Sequence, residues 1–194
     1  MHGGLIINKC EEIKNKMMEK QELTGWLNRL IGGELVASLQ YEFASHVVIG
    51  TDYDACNAEF KAHADEEREH MNTLISCAIE RDIEVNTDLK SIIDNAYPMY
   101  ENMSVIDSDS LIRFHFDAEE SAIAAYREFY NLIKDNDITL ADEVKHILHD
   151  EIEHRKDLKK IHSSISESAD MPSRHDNIYS NFSKLTKKLN DIMQ

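Results

Sequence analysis

Two stretches of this chain place a histidine three residues after a glutamate, Glu67 with His70 and Glu151 with His154. Three residues turn an α-helix by about 300°, so each pair projects from one face. Thirty-three residues before Glu67 stands Glu34, and thirty-two before Glu151 stands Glu119. Each opens the same pattern, E-x-x-A-x-x-x-Y, written as Glu34, Ala37 and Tyr41 and again as Glu119, Ala122 and Tyr126. One chemical unit is thus repeated at an offset of about 85 residues. A third E-x-x-H, Glu143 with His146, has no such predecessor and falls off the apolar stripe of its segment, so it carries no weight.

The helical period assigns all four glutamates to the interior, where unpaired carboxylates cost several kcal/mol each or stay protonated. Two divalent cations would supply the missing positive charge. Carboxylates that can bridge, with one imidazole per metal, leave open positions for oxygen or peroxide. That suits redox-active iron, with manganese as the alternative, better than a closed structural zinc. The opposing reading is a hydrogen-bonded polar layer without metal, which the absence of Lys and Arg from these stripes disfavours. Tyr41 and Tyr126 read either as core aromatics or as outer-shell donors to the carboxylates of the opposite half. His63, one turn before Glu67, reads as an outer-shell or simply satisfied histidine rather than a third imidazole ligand, since Ile147 holds the equivalent place in the other half. Cys77 reads as core packing.

These residues need long helices to position them. Only 6 Gly and 2 Pro occur in 194 residues, which favours an all-α fold over many short strands. Leu23, Leu27, Leu30, Ala37, Tyr41, Ala44 and Val48 make one stripe, and Phe60, Leu74 and Cys77 lie on a second. Ile112, Phe116, Ile123, Tyr126, Tyr130 and Ile133 predict a helix over about 108–134, and Leu140, Val144, Ile147, Leu158 and Ile161 a fourth that starts near Thr139. Residues 85–107 form a long crossover with room for two or three helical turns between Asp88 and Ala96. Short link, long crossover, short link is a known four-helix-bundle topology. The expected organisation is an N-terminal extension over 1–22 with a short leading helix between Leu5 and Glu19, a bundle over 23–164, and a polar hinge followed by a C-terminal helix over 165–194. That last helix carries Ile178, Phe182, Leu185, Leu189 and Ile192.

A formal charge of -16 opposes direct nucleic-acid binding and favours metal cations or basic partners. Cys10, Cys56 and Cys77 form no C-x-x-C and read as reduced thiols. Lacking a membrane-length apolar run and a signal-like start, the chain is expected to be cytoplasmic with no membrane partner.

Taken together, Glu34, Glu67-x-x-His70, Glu119 and Glu151-x-x-His154, with the stretches His63 to His70 and Ala118 to Ile123, resemble the di-iron ligand set of ferritin-like proteins. Within that superfamily they are similar to bacterioferritins and to the Dps-like branch with a bacterioferritin-type centre. The resemblance spans roughly residues 23–162. It implies a ferritin-like antiparallel bundle with one long crossover, ferroxidase chemistry on Fe(II) with O2 or H2O2, iron storage or detoxification, and a homo-oligomeric cage of 12 or 24 subunits. It further implies Glu34 and His70 on one iron, Glu119 and His154 on the other, and Glu67 and Glu151 bridging. Bacterioferritins carry a haem-ligating Met directly after the second-helix Glu; Arg68 stands there, so haem is not supported. Dps proteins with intersubunit sites lack the paired E-x-x-H, so direct DNA binding is not implied. The rival readings are a rubrerythrin-like di-iron peroxidase or oxygenase, a manganese catalase, and a structural bundle with a vestigial site.

Overall fold

The computed structural model describes residues 3–49, 53–103 and 107–161. Five helices follow one another: α1 (Gly3–Val47), α2 (Tyr53–Glu80), α3 (Leu89–Asn95), α4 (Ser108–Ile133) and α5 (Ile138–Ile161). The all-α bundle with one long crossover expected from the apolar spacing is the fold observed. Short links hold α1 along α2 and α4 along α5, and the crossover with α3 joins the two hairpins. The N-terminal segment is a continuation of α1 rather than a separate leading helix. The hinge and C-terminal helix expected over 165–194 lie outside the described residues.

The core is formed where the four long helices turn their apolar stripes inward. Leu27, Leu30, Tyr41 and Ala44 of α1 meet Phe60 and Leu74 of α2, Ile112, Ile123, Tyr126 and Phe129 of α4, and Leu140, Val144 and Leu158 of α5. In α4 the buried line runs through His115 and Phe129, whereas Phe116 and Tyr130, assigned to the seam by spacing, are only half-buried. The apolar stripe of a helix is at least 100° wide, so neighbouring residues both fit the period and packing chooses between them. Trp26 stacks on Phe129 with ring centroids 5.5 Å apart and meets Tyr97 of the crossover edge-on at 6.1 Å.

Capping sets the helix starts. Asp88 accepts from the amides of Lys90 and Ser91, and Asp107 from that of Ser110. The fourth long helix starts one residue before Thr139, because Asp137 caps it by accepting from the Leu140 amide at 3.0 Å. Asp137 also takes a two-pronged ion pair from Arg81, at 2.6 and 2.9 Å, which ties the end of α2 to the α4–α5 link and holds the Asp137 carboxyl below its usual range.

The crossover sits directly on α1 because α1 carries Gly32 and Gly33 there. The Tyr97 amide donates to the Arg29 carbonyl at 3.0 Å, and a Cβ on Gly33 would overlap the Tyr97 carbonyl oxygen and stand 2.8 Å from its carbon. Gly33→Ala gains about 1 kcal/mol of helix propensity. It also forces two backbones apart, which costs about 1–3 kcal/mol and cannot be relieved by a rotamer change. The clash is expected to win, lowering the melting temperature by a few degrees; a melting temperature at or above the native value would show the crossover to be more loosely docked than described.

Candidate metal centre

Each of the four long helices delivers one glutamate to the middle of the bundle, and α2 and α5 deliver a histidine as well. Glu34, Glu67, His70, Glu119, Glu151 and His154 are all buried. They fall into two groups of four donors. Glu34, Glu67, His70 and Glu151 form one, and Glu67, Glu119, Glu151 and His154 the other, with donor atoms within 4.8 Å of one another in each. Glu67 and Glu151 belong to both groups, so the E-x-x-H glutamates lie in the middle and Glu34 and Glu119 at the two ends.

Hydrogen bonding among the six is incomplete. Nδ1 of His70 faces Glu67 at 3.0 Å, Glu151 at 3.2 Å and Glu34 at 3.8 Å. Nδ1 of His154 faces Glu67 at 3.2 Å and Glu119 at 3.9 Å. A single proton on Nδ1 satisfies one carboxylate and leaves the others; Glu151 Oε1 and His154 Nδ1 are buried without any hydrogen bond, their 3.2 Å neighbours standing out of line. Burial opposes a charged His154, yet the facing carboxylates of Glu66 and Glu67 push its pKa up to about 12. Burial of His70 works the same way against Glu151, Glu34 and Glu67, and its pKa is raised. Glu119 is driven well above the usual carboxylate range by burial, then by Glu151 and Glu67. Four buried acids converge on two imidazoles with orphaned atoms aimed inward, and two cations would satisfy at once what two protons cannot. The donors, oxygen-rich with one imidazole per group, fit iron or manganese.

An outer layer fixes these side chains, and it is symmetric. The Tyr41 hydroxyl donates to Glu119 and the Tyr126 hydroxyl to Glu34, each across to the other hairpin. Both hydroxyls thus sit on a carboxylate of the opposite hairpin. The outer ring nitrogens are held in the same crossed manner: His154 Nε2 meets Glu66 at 2.6 Å and His70 Nε2 meets Asp150 at 3.4 Å. Sequence reading missed both acids. Their signal was available, because each immediately precedes the glutamate of its E-x-x-H. His63 is buried and stacks on His154 at 4.1 Å between centroids, while Glu143 and His146 face solvent.

His115 was also missed. It is buried one turn before Glu119, stacks on Tyr41 at 3.9 Å and leaves Nε2 without a partner. Burial lowers its pKa from 6.5 to about 3. Between those values only the unfolded chain takes the proton, so the stability due to the neutral ring is complete above pH 6.5 and is lost as pH falls through that window. Exchanging His115 for phenylalanine is expected to spare the metal-free protein up to about 2 kcal/mol of the loss between pH 7 and pH 5. Urea unfolding at the two pH values measures this, and equal losses in both proteins would place the ring in contact with water.

Fold and site together define a four-helix bundle with buried carboxylate and histidine clusters able to hold metal. Residues 25–168 match the family model of the ferritin-like domain, and the chain belongs to the ferritin-like family. It is similar to a dodecameric thioferritin, the bacterioferritin-related protein of Bacteroides fragilis. Identity is 32% and the TM-score 0.73, over 75% of this chain and 87% of that one. The Dps protein of Thermosynechococcus elongatus shares the fold at 16% identity and TM-score 0.70, covering 77% of this chain and 98% of that one. The same holds for Dps of Vibrio cholerae O1 at 14% identity and TM-score 0.68, over 74% and 90%. No curated protein matches the chain. Among the described residues no helix is long and apolar enough to cross a membrane.

Proposed function

We propose that this protein is a ferroxidase that oxidises Fe(II) at a di-iron centre within one subunit, in the service of iron storage or detoxification. The observation that carries the reading is the pair of four-donor groups sharing Glu67 and Glu151, with no Lys or Arg among the buried residues described. Glu34 with His70 would hold one iron, Glu119 with His154 the other, and Glu67 with Glu151 would bridge. Iron supplies the redox chemistry: two Fe(II) each give up one electron, and the pair of electrons with two protons reduces O2 to H2O2, or H2O2 to two waters. The chain's own task is geometry and exclusion of water. Tyr41 and Tyr126 orient the end carboxylates, and Glu66 and Asp150 fix the ring planes of His154 and His70 so that Nδ1 points inward.

We read the working form as a homo-oligomer of twelve. The Bacteroides fragilis relative is dodecameric. On this chain α1 also exposes Leu39, Phe43 and Val47 on one stripe, and the Gln40 side-chain amide donates to the Glu101 carbonyl of the crossover that carries the exposed Met99 and Tyr100. An apolar face of that kind marks a protein contact.

Anaerobic Fe(II) titration of the native protein is expected to saturate at two ions per chain, and added peroxide or O2 to oxidise both within one phase; sedimentation of the same sample reads the assembly. Saturation below one ion per chain, or oxidation no faster than in buffer, would remove the proposed centre.

A further inference from the structure

The two halves of the centre repeat each other except one turn before each E-x-x-H. His63 stands there before Glu67, and Ile147 before Glu151. Both side chains are buried, so α2 turns an imidazole inward where α5 turns an alkyl group. A spacing of four keeps His63 on the face of α2 that carries Glu67 and His70. Its ring stacks on His154 at 4.1 Å between centroids, 26° from parallel. His63, Glu119 and His154 place one donor atom each within 4.8 Å of the others. Glu119 and His154 are the donors proposed for one of the two ions, so the extra imidazole lies at that end of the pair and has no counterpart at the other.

The two ring nitrogens of His63 have different surroundings. Nε2 stands 3.3 Å from Oε1 of the partly exposed Glu59, one turn earlier on α2, whereas Nδ1 is buried without a hydrogen-bond partner. A carboxylate beside Nε2 favours the tautomer with the proton on that atom, which leaves the lone pair on Nδ1. The imidazoles of the centre are held in the same way: Nε2 of His154 faces Glu66 at 2.6 Å, Nε2 of His70 faces Asp150 at 3.4 Å, and each turns Nδ1 to the buried glutamates. A ring whose outer nitrogen donates to a carboxylate is fixed in orientation and made more basic at the other nitrogen, as metal-binding histidines usually are. With Nε2 committed to Glu59, Nδ1 is the atom left to serve Glu119 and His154, and a buried nitrogen that nothing meets is unfavourable.

We infer that His63 is a third imidazole ligand of the centre, binding through Nδ1 the same ion as Glu119 and His154, with Glu59 as the positioning residue that holds its tautomer. The inference rests on the paired-centre reading and makes the pair unequal. The ion at Glu119 has two imidazoles and the ion at Glu34 only one, so the Glu119 end fills first.

The test uses the full-length protein and Zn(II), which takes the same donors without redox chemistry, read by calorimetry. Native protein is expected to bind two Zn(II) per chain in two steps, the first roughly 10–100-fold tighter than the second, a difference of the size one supporting group makes at a metal site. His63→Ile copies the other half. It should still bind two ions, with the first step weakened to the level of the second and the second unchanged, whereas a merely structural histidine would move both steps or neither. Glu59→Gln should weaken the first step alone and by less; unchanged binding would remove the positioning role. Zinc-soaked crystals of the native protein, which need no variant, should show an anomalous-scattering peak about 2.1 Å from His63 Nδ1. Two native ions with neither bonded to Nδ1, or native binding steps in His63→Ile, would overturn the ligand and leave the pair standing. No ion in the native protein would remove the paired centre and the inference with it. A single native ion, bonded to Nδ1 and weakened in His63→Ile, would keep the ligand and sink the pair.

Discussion

Glu67→Ala is expected to abolish the two-iron stoichiometry and to slow initial iron oxidation by at least about 100-fold. Loss of an outer-shell partner costs a metal site about 10–100-fold. Glu67 stands closer in, since it belongs to both donor groups and faces His70 at 3.0 Å and His154 at 3.2 Å. Removing it would take a donor from both proposed ions at once, so neither half would be left as a working single-metal site. Misfolding does not explain such a loss, because the substitution removes one of four buried acids that have only two imidazoles among them. The control is Glu143→Ala, which breaks the exposed third E-x-x-H and is expected to oxidise iron as the native chain does. Stopped-flow absorbance after mixing Fe(II) with oxidant reads both variants, and native-rate oxidation by Glu67→Ala would show that the chemistry happens elsewhere.

The second large effect is on stability. Without metal the centre holds four buried acids and only two bases, with Glu151 Oε1 and His154 Nδ1 unpaired. A ligand that binds only the folded state stabilises by about 2.7 kcal/mol per site at a hundredfold excess over its dissociation constant. Two sites filled with Fe(II) anaerobically, or with Mn(II), should therefore raise the melting temperature by 10 °C or more, at roughly 2–4 °C per kcal/mol for a chain of this size. Glu119→Gln should do the opposite to each state. The metal-free variant is relieved of a carboxylate that burial and its acidic neighbours already disfavour, and is expected to melt higher than the metal-free native protein. Its gain on adding metal should shrink to about half or less. Calorimetry of the four samples decides: if Glu119→Gln lowers the metal-free melting temperature, the native acids are satisfied by protons alone and the need for cations disappears.

How much of this was legible beforehand differs by kind of residue. The six centre residues could be read because they break a rule: acids on an apolar stripe are rare without compensating charge, and the break occurs twice in the same form. Tyr41 and Tyr126 break no rule. A buried tyrosine suits a core as well as a donor, and only the arrangement of the hairpins put each hydroxyl on the other half's glutamate. Glu66 and Asp150 were hidden by their setting among many solvated acids, since their roles depend on which histidine lies across the bundle. His115 lost its place on the stripe to the adjacent Phe116, a more usual core residue. Gly32 and Gly33 sit in the interior of α1, where sequence offers only a propensity penalty and no sign of the strand of crossover resting on them.

By itself the sequence determined the helix periods, the two similar halves and the presence of acids that a bundle interior does not accept. These are local properties, set by spacing along one chain and by the cost of burying charge. Tertiary structure alone decided which hairpin each outer contact crosses to, which of two neighbouring residues faces the core, and that His63 meets Glu119 and His154. Those outcomes depend on the relative rotation and offset of helices far apart in the chain, and a rotation of a few tens of degrees, smaller than the width of an apolar stripe, is enough to change them.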